Sequence, residues 1–152
     1  MSADYSVAVD GYSTGILAID QGIGFSTEIT FGSEVFNVLV DTGSSDTWLV
    51  RWNFSCVDHH EPQNPPLTQA ECHFGPAYNI TDTFRPIDNE TFSIQYGDGT
   101  FVRGSLGYEQ ITLAGIQVET IVGIVDVAGW SGNGVDSGVL GLAYPQGEVP
   151  SS

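Results

Sequence analysis

An all-β fold, an antiparallel barrel-like lobe, is what this 152-residue sequence predicts. Apolar and polar residues alternate with period two along several stretches, the pattern of a half-buried strand. Nineteen glycines and seven prolines supply turns between those stretches without any collagen-like or linker repeat. Hardly any window carries the 3.6-residue period of an amphipathic helix. A closed or sandwiched antiparallel sheet is the natural way to bury strands of this kind.

The elements follow in order. Residues 25–31 place Ile29 and Phe31 on one face with Thr30 between them, and Gly32-Ser33 ends the strand. Residues 35–40 form a nearly continuous apolar run, which predicts a buried strand delivering Asp41 into Thr42-Gly43-Ser44-Ser45. Residues 47–52 resume a strand pattern. Between 53 and 89 the character changes to prolines, acids and both cysteines, so a surface loop is expected there. Phe92, Ile94 and Tyr96 then alternate into Gly97-Asp98-Gly99, a hairpin signal spanning about residues 92–108. Residues 111–127 predict a strand pair around Ala114-Gly115, and 138–143 a last short buried strand.

Composition narrows the function classes. Nineteen acids face three arginines, Arg51, Arg85 and Arg103, with no lysine, for a formal charge of -16. Such a surface repels phosphate backbones and anionic lipid, which speaks against nucleic-acid or membrane binding. Its self-repulsion eases as carboxylates take up protons, which points to an acidic working environment. No apolar run approaches the ~18 residues that cross a bilayer. The first twenty residues lack the basic start and apolar centre of a secretory leader, so any leader is expected to have been removed.

Cys56 and Cys72 are the two cysteines. Paired, they close a loop of about 17 residues and add roughly 3 kcal/mol by restricting the unfolded chain; two free thiols are the alternative. Three N-x-S/T sequons, at Asn53, Asn79 and Asn89, support an oxidising, secretory route and possible glycan attachment. His59, His60 and Glu61 lack a third ligand at convincing spacing and read as a polar surface loop, so no metal is expected.

An aspartate ending a buried apolar strand carries a desolvation cost that its neighbours must offset. Thr42 and Ser44 offer hydroxyls, and Gly43 permits a tight turn with amides facing the carboxylate. Taken alone, Asp-Thr-Gly fits an Asx-type turn as well as a catalytic carboxylate.

Three spaced motifs extend the pattern: Val38-Leu39-Val40-Asp41-Thr42-Gly43-Ser44-Ser45 with Trp48-Leu49-Val50; Tyr96-Gly97-Asp98-Gly99-Thr100; and Gly138-Val139-Leu140-Gly141-Leu142-Ala143-Tyr144-Pro145. In order and separation they resemble the N-terminal lobe of the pepsin-like aspartic proteases, from about Leu17 to Pro145. The resemblance implies a bilobal endopeptidase with one aspartate per lobe, a water nucleophile, no metal or other cofactor, and a flap over the peptide. It makes Asp41 the catalytic aspartate of this lobe, Thr42 the residue that bonds across to the other lobe, and Ser44 the support of the carboxylate. Tyr96 then matches the flap tyrosine, Trp48 its hydrogen-bond partner, and Gly97, Asp98 and Gly99 the flap tip. Gly141 falls in the segment bracing the Asp-Thr-Gly loop.

Departures accompany the match. No second catalytic motif is present; Asp136-Ser137-Gly138 has similar letters but lies in the bracing segment. A Pro-Pro turn before the catalytic strand is replaced by Gly32-Ser33-Glu34, and Asp46-Thr47 stands where Asn-Leu is common. The expected organisation is an N-terminal extension over 1–16 and an incomplete catalytic lobe over 17–152. The expected partners are a C-terminal lobe or second chain and a peptide or protein substrate. A secreted zymogen, extracellular or in an acidic vacuolar or lysosomal compartment, is the expected setting. A binding scaffold without catalysis and a homodimer of single lobes are the competing expectations.

Overall fold

The computed structural model describes residues 4–5, 13–19, 22, 24–61 and 63–143. The expected N-terminal extension lies largely outside the described residues, as do Tyr144 and Pro145 of the last motif. Nine strands follow in chain order: β1 (Asp4–Tyr5), β2 (Ile16–Ile19), β3 (Gly24–Phe31), β4 (Glu34–Asp41), β5 (Trp48–Cys56), β6 (Arg85–Gln95), β7 (Phe101–Leu113), β8 (Ile116–Gly129) and β9 (Gly138–Gly141). A 3₁₀ turn, Gln69–Cys72, lies between β5 and β6, capped by Thr68, whose side chain and backbone exchange hydrogen bonds with Glu71. Among the described residues, no helix is long and apolar enough to cross a membrane.

The fold is all-β, but the antiparallel barrel-like lobe expected from the sequence is not what forms. The strands make a mixed sheet in the order β1-β2-β3-β4-β9-β5-β8-β7-β6, with two ends rather than a closed circuit; an added β3–β7 pairing spans only Thr30–Thr112 and Phe31–Ile111. β9 slots between β4 and β5, parallel to the first and antiparallel to the second. β5 and β8 are also parallel.

Burial explains the mixture. Leu49 packs with Ile29, Phe36, Val38, Ile124 and Leu140 in one core, whereas its neighbours Trp48 and Val50 pack with Val125 and Val139 in another. Successive side chains point to opposite faces of a strand. The middle strands β5, β8 and β9 are therefore covered on both sides, and a strand buried on both faces reads as an unbroken apolar run. Alternation reveals a strand but not which neighbour it takes or in which direction.

Two tight features hold the edges. Ala114 and Gly115, at φ 53° and 81°, turn the β7–β8 hairpin, a pair of left-handed positions that matches the natural strand twist. Cys56 and Cys72 are joined in a disulfide with their Cα atoms 6.2 Å apart, tying the 3₁₀ turn to the end of β5. Reducing it is expected to cost about 3 kcal/mol. Urea unfolding with and without reductant measures this, and amide exchange should rise in residues 57–71 before it rises around Asp41. An unchanged midpoint would count against a stabilising role for the bridge.

Candidate active site

Asp41 is the last residue of β4, where its backbone pairs with Gly141 of β9. The Asp41 side chain is held from its own loop: the Gly43 amide donates to Oδ1 at 2.8 Å and the Ser44 hydroxyl to Oδ2 at 2.7 Å. Both donors fix the orientation of the carboxyl. Asp41 is partly exposed, and each carboxyl oxygen keeps acceptor capacity beyond these bonds. Thr42 and Gly43 are exposed at the loop tip.

The loop is clamped from behind. The Leu142 and Ala143 amides donate to the carbonyls of Asp41 and Ser44, each at 2.9 Å. The Gly141 amide donates to the Thr47 hydroxyl at 3.2 Å. A side chain at Gly141 would bring a Cβ within 2.6 Å of the Asp46 backbone, so only glycine allows β9 to lie this close.

Tyr96 follows the last residue of β6, in the β6–β7 connection. Its hydroxyl accepts from Trp48 Nε1 at 3.2 Å, and its ring meets Trp130 edge to face at 4.8 Å. Burial, chiefly, and the nearby charges of Asp41 and Asp46 raise the Tyr96 pKa, against the lowering effect of the Trp48 bond. The hydroxyl therefore stays protonated and can donate into the cleft. At the hairpin tip, Gly97 and Asp98 are exposed and Gly99 takes φ 90°. Asp98 accepts from the Thr100 hydroxyl at 2.6 Å and amide at 3.0 Å; the hydroxyl first, then the amide, lowers its pKa.

The sequon residues Asn53, Asn79 and Asn89 are all exposed. Asn53 and Asn89 take left-handed φ of 66° and 62° within the irregular stretches of β5 and β6, a conformation asparagine tolerates better than most residues.

Sequence reasoning missed several neighbours. Phe74 and Trp130 join Trp48 as edge-to-face partners at 6.3 and 5.8 Å. Asp136 is buried and accepts from the Ser26 hydroxyl and from Asn133 Nδ2. Its Asp-Ser-Gly letters drew attention to the position, but nothing local reveals a partner 110 residues away.

Comparison with known proteins agrees with this geometry. Residues 24–152 match the family described as eukaryotic aspartyl protease. The chain is similar to a probable aspartic-type endopeptidase of Aspergillus fumigatus, 45% identical over 132 residues, covering 87% of this chain and 30% of that protein. Secreted aspartic protease 5 of Candida albicans is 30% identical over 132 residues, covering 86% of this chain and 30% of that protein. Barrierpepsin of Saccharomyces cerevisiae is 29% identical over 154 residues, covering 91% of this chain and 25% of that protein. The chain thus spans about 30% of the length of the first curated relatives it matches. It belongs to the eukaryotic aspartyl protease family.

Proposed function

We propose that this chain is the N-terminal catalytic lobe, over 17–152, of a secreted aspartic endopeptidase, with Asp41 as one of two catalytic carboxylates. The observation that carries the reading is the fixed, partly exposed Asp41 carboxyl, supported by Gly43 and Ser44 and backed by β9. The hairpin over about 92–108 is the flap, with Tyr96, Gly97, Asp98 and Gly99 meeting the peptide and Trp48 anchoring Tyr96. Thr42, exposed at the loop tip, bonds across to the second lobe.

The chemistry requires that second lobe. Two close carboxylates do not both ionise cheaply, so they share a proton. The charged one takes a proton from water as its oxygen attacks the peptide carbonyl. The protonated one hydrogen-bonds to the carbonyl oxygen, and a proton then assists departure of the amine. Asp41 alone cannot act as acid and base at once.

Secretion is supported by the disulfide, the three exposed sequons and the similarity to a secreted aspartic protease of Candida albicans. Asn53, Asn79 and Asn89 are the proposed glycan acceptors. The 53–89 region forms the surface around them.

Hydrolysis of an extended peptide with apolar residues at the scissile bond tests the reading, from about pH 3 to about pH 7. The protein with both lobes should cleave it, fastest at acidic pH, and this chain alone should not. Equal cleavage by the isolated chain would overturn the two-carboxylate assignment.

A further inference from the structure

Trp52 is the most exposed large apolar side chain among the described residues, at 64%, whereas Trp48 is buried and Trp130 partly so. Its place is set by a break in the sheet. Val50 faces Val125 and Ser55 faces Val127, so β5 advances five residues while β8 advances two, and residues 51–54 bow outward. Asn53 takes its left-handed φ of 66° within that bow. The chain at Tyr78 holds the bow from the other side. The Tyr78 amide donates to the Val50 carbonyl and the Trp52 amide to the Tyr78 carbonyl, each at 2.8 Å, with Arg51 and Tyr78 opposed in parallel.

Side-chain alternation then puts Trp52 beside Asn79. Val50 and Ala77 pack in one core and Tyr78 in the other. Successive residues of an extended chain face opposite ways, so Asn79, one step beyond Tyr78, turns to the side of Val50 and Trp52. Asn79 and Trp52 are both exposed there. Adjacent extended chains lie about 4.8 Å apart, which brings a sugar on Asn79 within reach of the indole. Asn79-Ile80-Thr81 is one of the three sequons. Asn53 follows Trp52 in the chain, but its left-handed backbone breaks the alternation. Asn89 has Asp88 and Glu90 as its chain neighbours.

We propose that Asn79 carries an N-linked glycan whose first N-acetylglucosamine packs on the face of Trp52, so that the sugar covers the indole as part of the folded surface. The inference rests on the secretory reading above. In attachment, Asn79 Nδ2 forms a bond to C1 of the sugar, the C1–O bond to the donor's lipid diphosphate breaks, and the amide gives up one proton. A pyranose suits an exposed indole because its C–H groups form an apolar face while its hydroxyls stay at the rim, in water. The sugar is also neutral, so it settles on a chain of formal charge -16 without repulsion.

The test uses the two-lobe protein secreted from a eukaryotic host, with glycans intact or trimmed enzymatically to one N-acetylglucosamine per site. Peptide mapping should find Asn79 occupied. In the trimmed protein, NMR signals of that sugar should move upfield through the indole ring current; Trp52→Leu should abolish the shift and Asn53→Gln should preserve it. Urea midpoints give a second measure. Asn79→Gln and Trp52→Leu should each lower the midpoint, and the double variant should fall no further than the lower of the two, because all three lose the same contact. Glycans at Asn53 or Asn89 with Asn79 bare would overturn this inference and leave the secretory reading standing. A secreted protein with all three sites bare would overturn the glycan acceptors proposed above and this inference with them. An occupied Asn79 with unshifted sugar signals, a midpoint unmoved by Asn79→Gln, or losses that add in the double variant would overturn the packing.

Discussion

Replacing Asp41 by asparagine is expected to slow peptide hydrolysis by the two-lobe protein about 10³-fold or more, with little change in fold. The substitution keeps the shape of the side chain. Its amide oxygen can still accept from the Gly43 amide, and the Ser44 hydroxyl can turn to accept from the new NH₂ group. The Leu142 and Ala143 amides that clamp the loop reach only the backbone carbonyls of Asp41 and Ser44 and are untouched. What disappears is the carboxyl that can lose and regain a proton at this position. Affinity for a transition-state-like peptide should fall far less than turnover, because the contacts proposed for the Tyr96–Gly99 hairpin tip remain. Steady-state rates across the acidic range, with a urea midpoint as the folding control, check both halves. A variant that folds and cleaves at the wild-type rate would remove Asp41 from the catalytic role.

How much of this was legible in the sequence depends on the range of each interaction. The strands flanking Asp41 could be read because period-two alternation and turn glycines are local signals. The Asp41 contacts to Gly43 and Ser44 lie within three residues and follow from spacing. Strand direction was not local information. The parallel pairs β4–β9 and β5–β8 join segments far apart in sequence, and the antiparallel barrel-like expectation failed there. A partial clue was present in Trp48-Leu49-Val50 and Val139-Leu140, whose unbroken apolar character suits strands buried on both faces. The Trp48–Tyr96 bond was accessible only through the family resemblance. The Ser26–Asp136 bond had no local signal at all. Glu109 was different: it occupies an inward position of β7 between buried Gly107 and Ile111, so a charged residue interrupts the core face of an alternating strand. Such an interruption marks a buried polar network before any coordinates exist.

That network should dominate the stability of the end of the lobe away from the Asp41 loop. Glu109 is fully buried and gathers four donors. The Tyr78 hydroxyl donates to Oε2, as does Thr81 Oγ1 at 3.2 Å, while Thr83 Oγ1 at 2.6 Å and the Gln110 amide at 2.8 Å donate to Oε1. Together they fasten the 78–84 segment to β7, beneath the ring contacts of Tyr78 with Phe31, Phe36 and Phe84. Glu109→Ala removes every acceptor and opens a cavity, so it is expected to cost about 3 kcal/mol or more. Glu109→Gln keeps one acceptor oxygen and nearly the same volume, and should cost less. Tyr78 adds a pH signature. Its burial, first, and its bond to Glu109, second, push its pKa from 10.0 up to about 12. The raised value means that the folded state favours the neutral phenol. Its stabilisation is complete below pH 10 and is lost as pH rises through about 12. Urea unfolding of the wild type, Glu109→Ala, Glu109→Gln and Tyr78→Phe at neutral pH and across that alkaline range separates these effects. Tyr78→Phe should flatten the alkaline fall while keeping the aromatic packing. A Glu109→Ala protein within about 1 kcal/mol of wild type would show that the four donors find water as readily as they find this carboxyl.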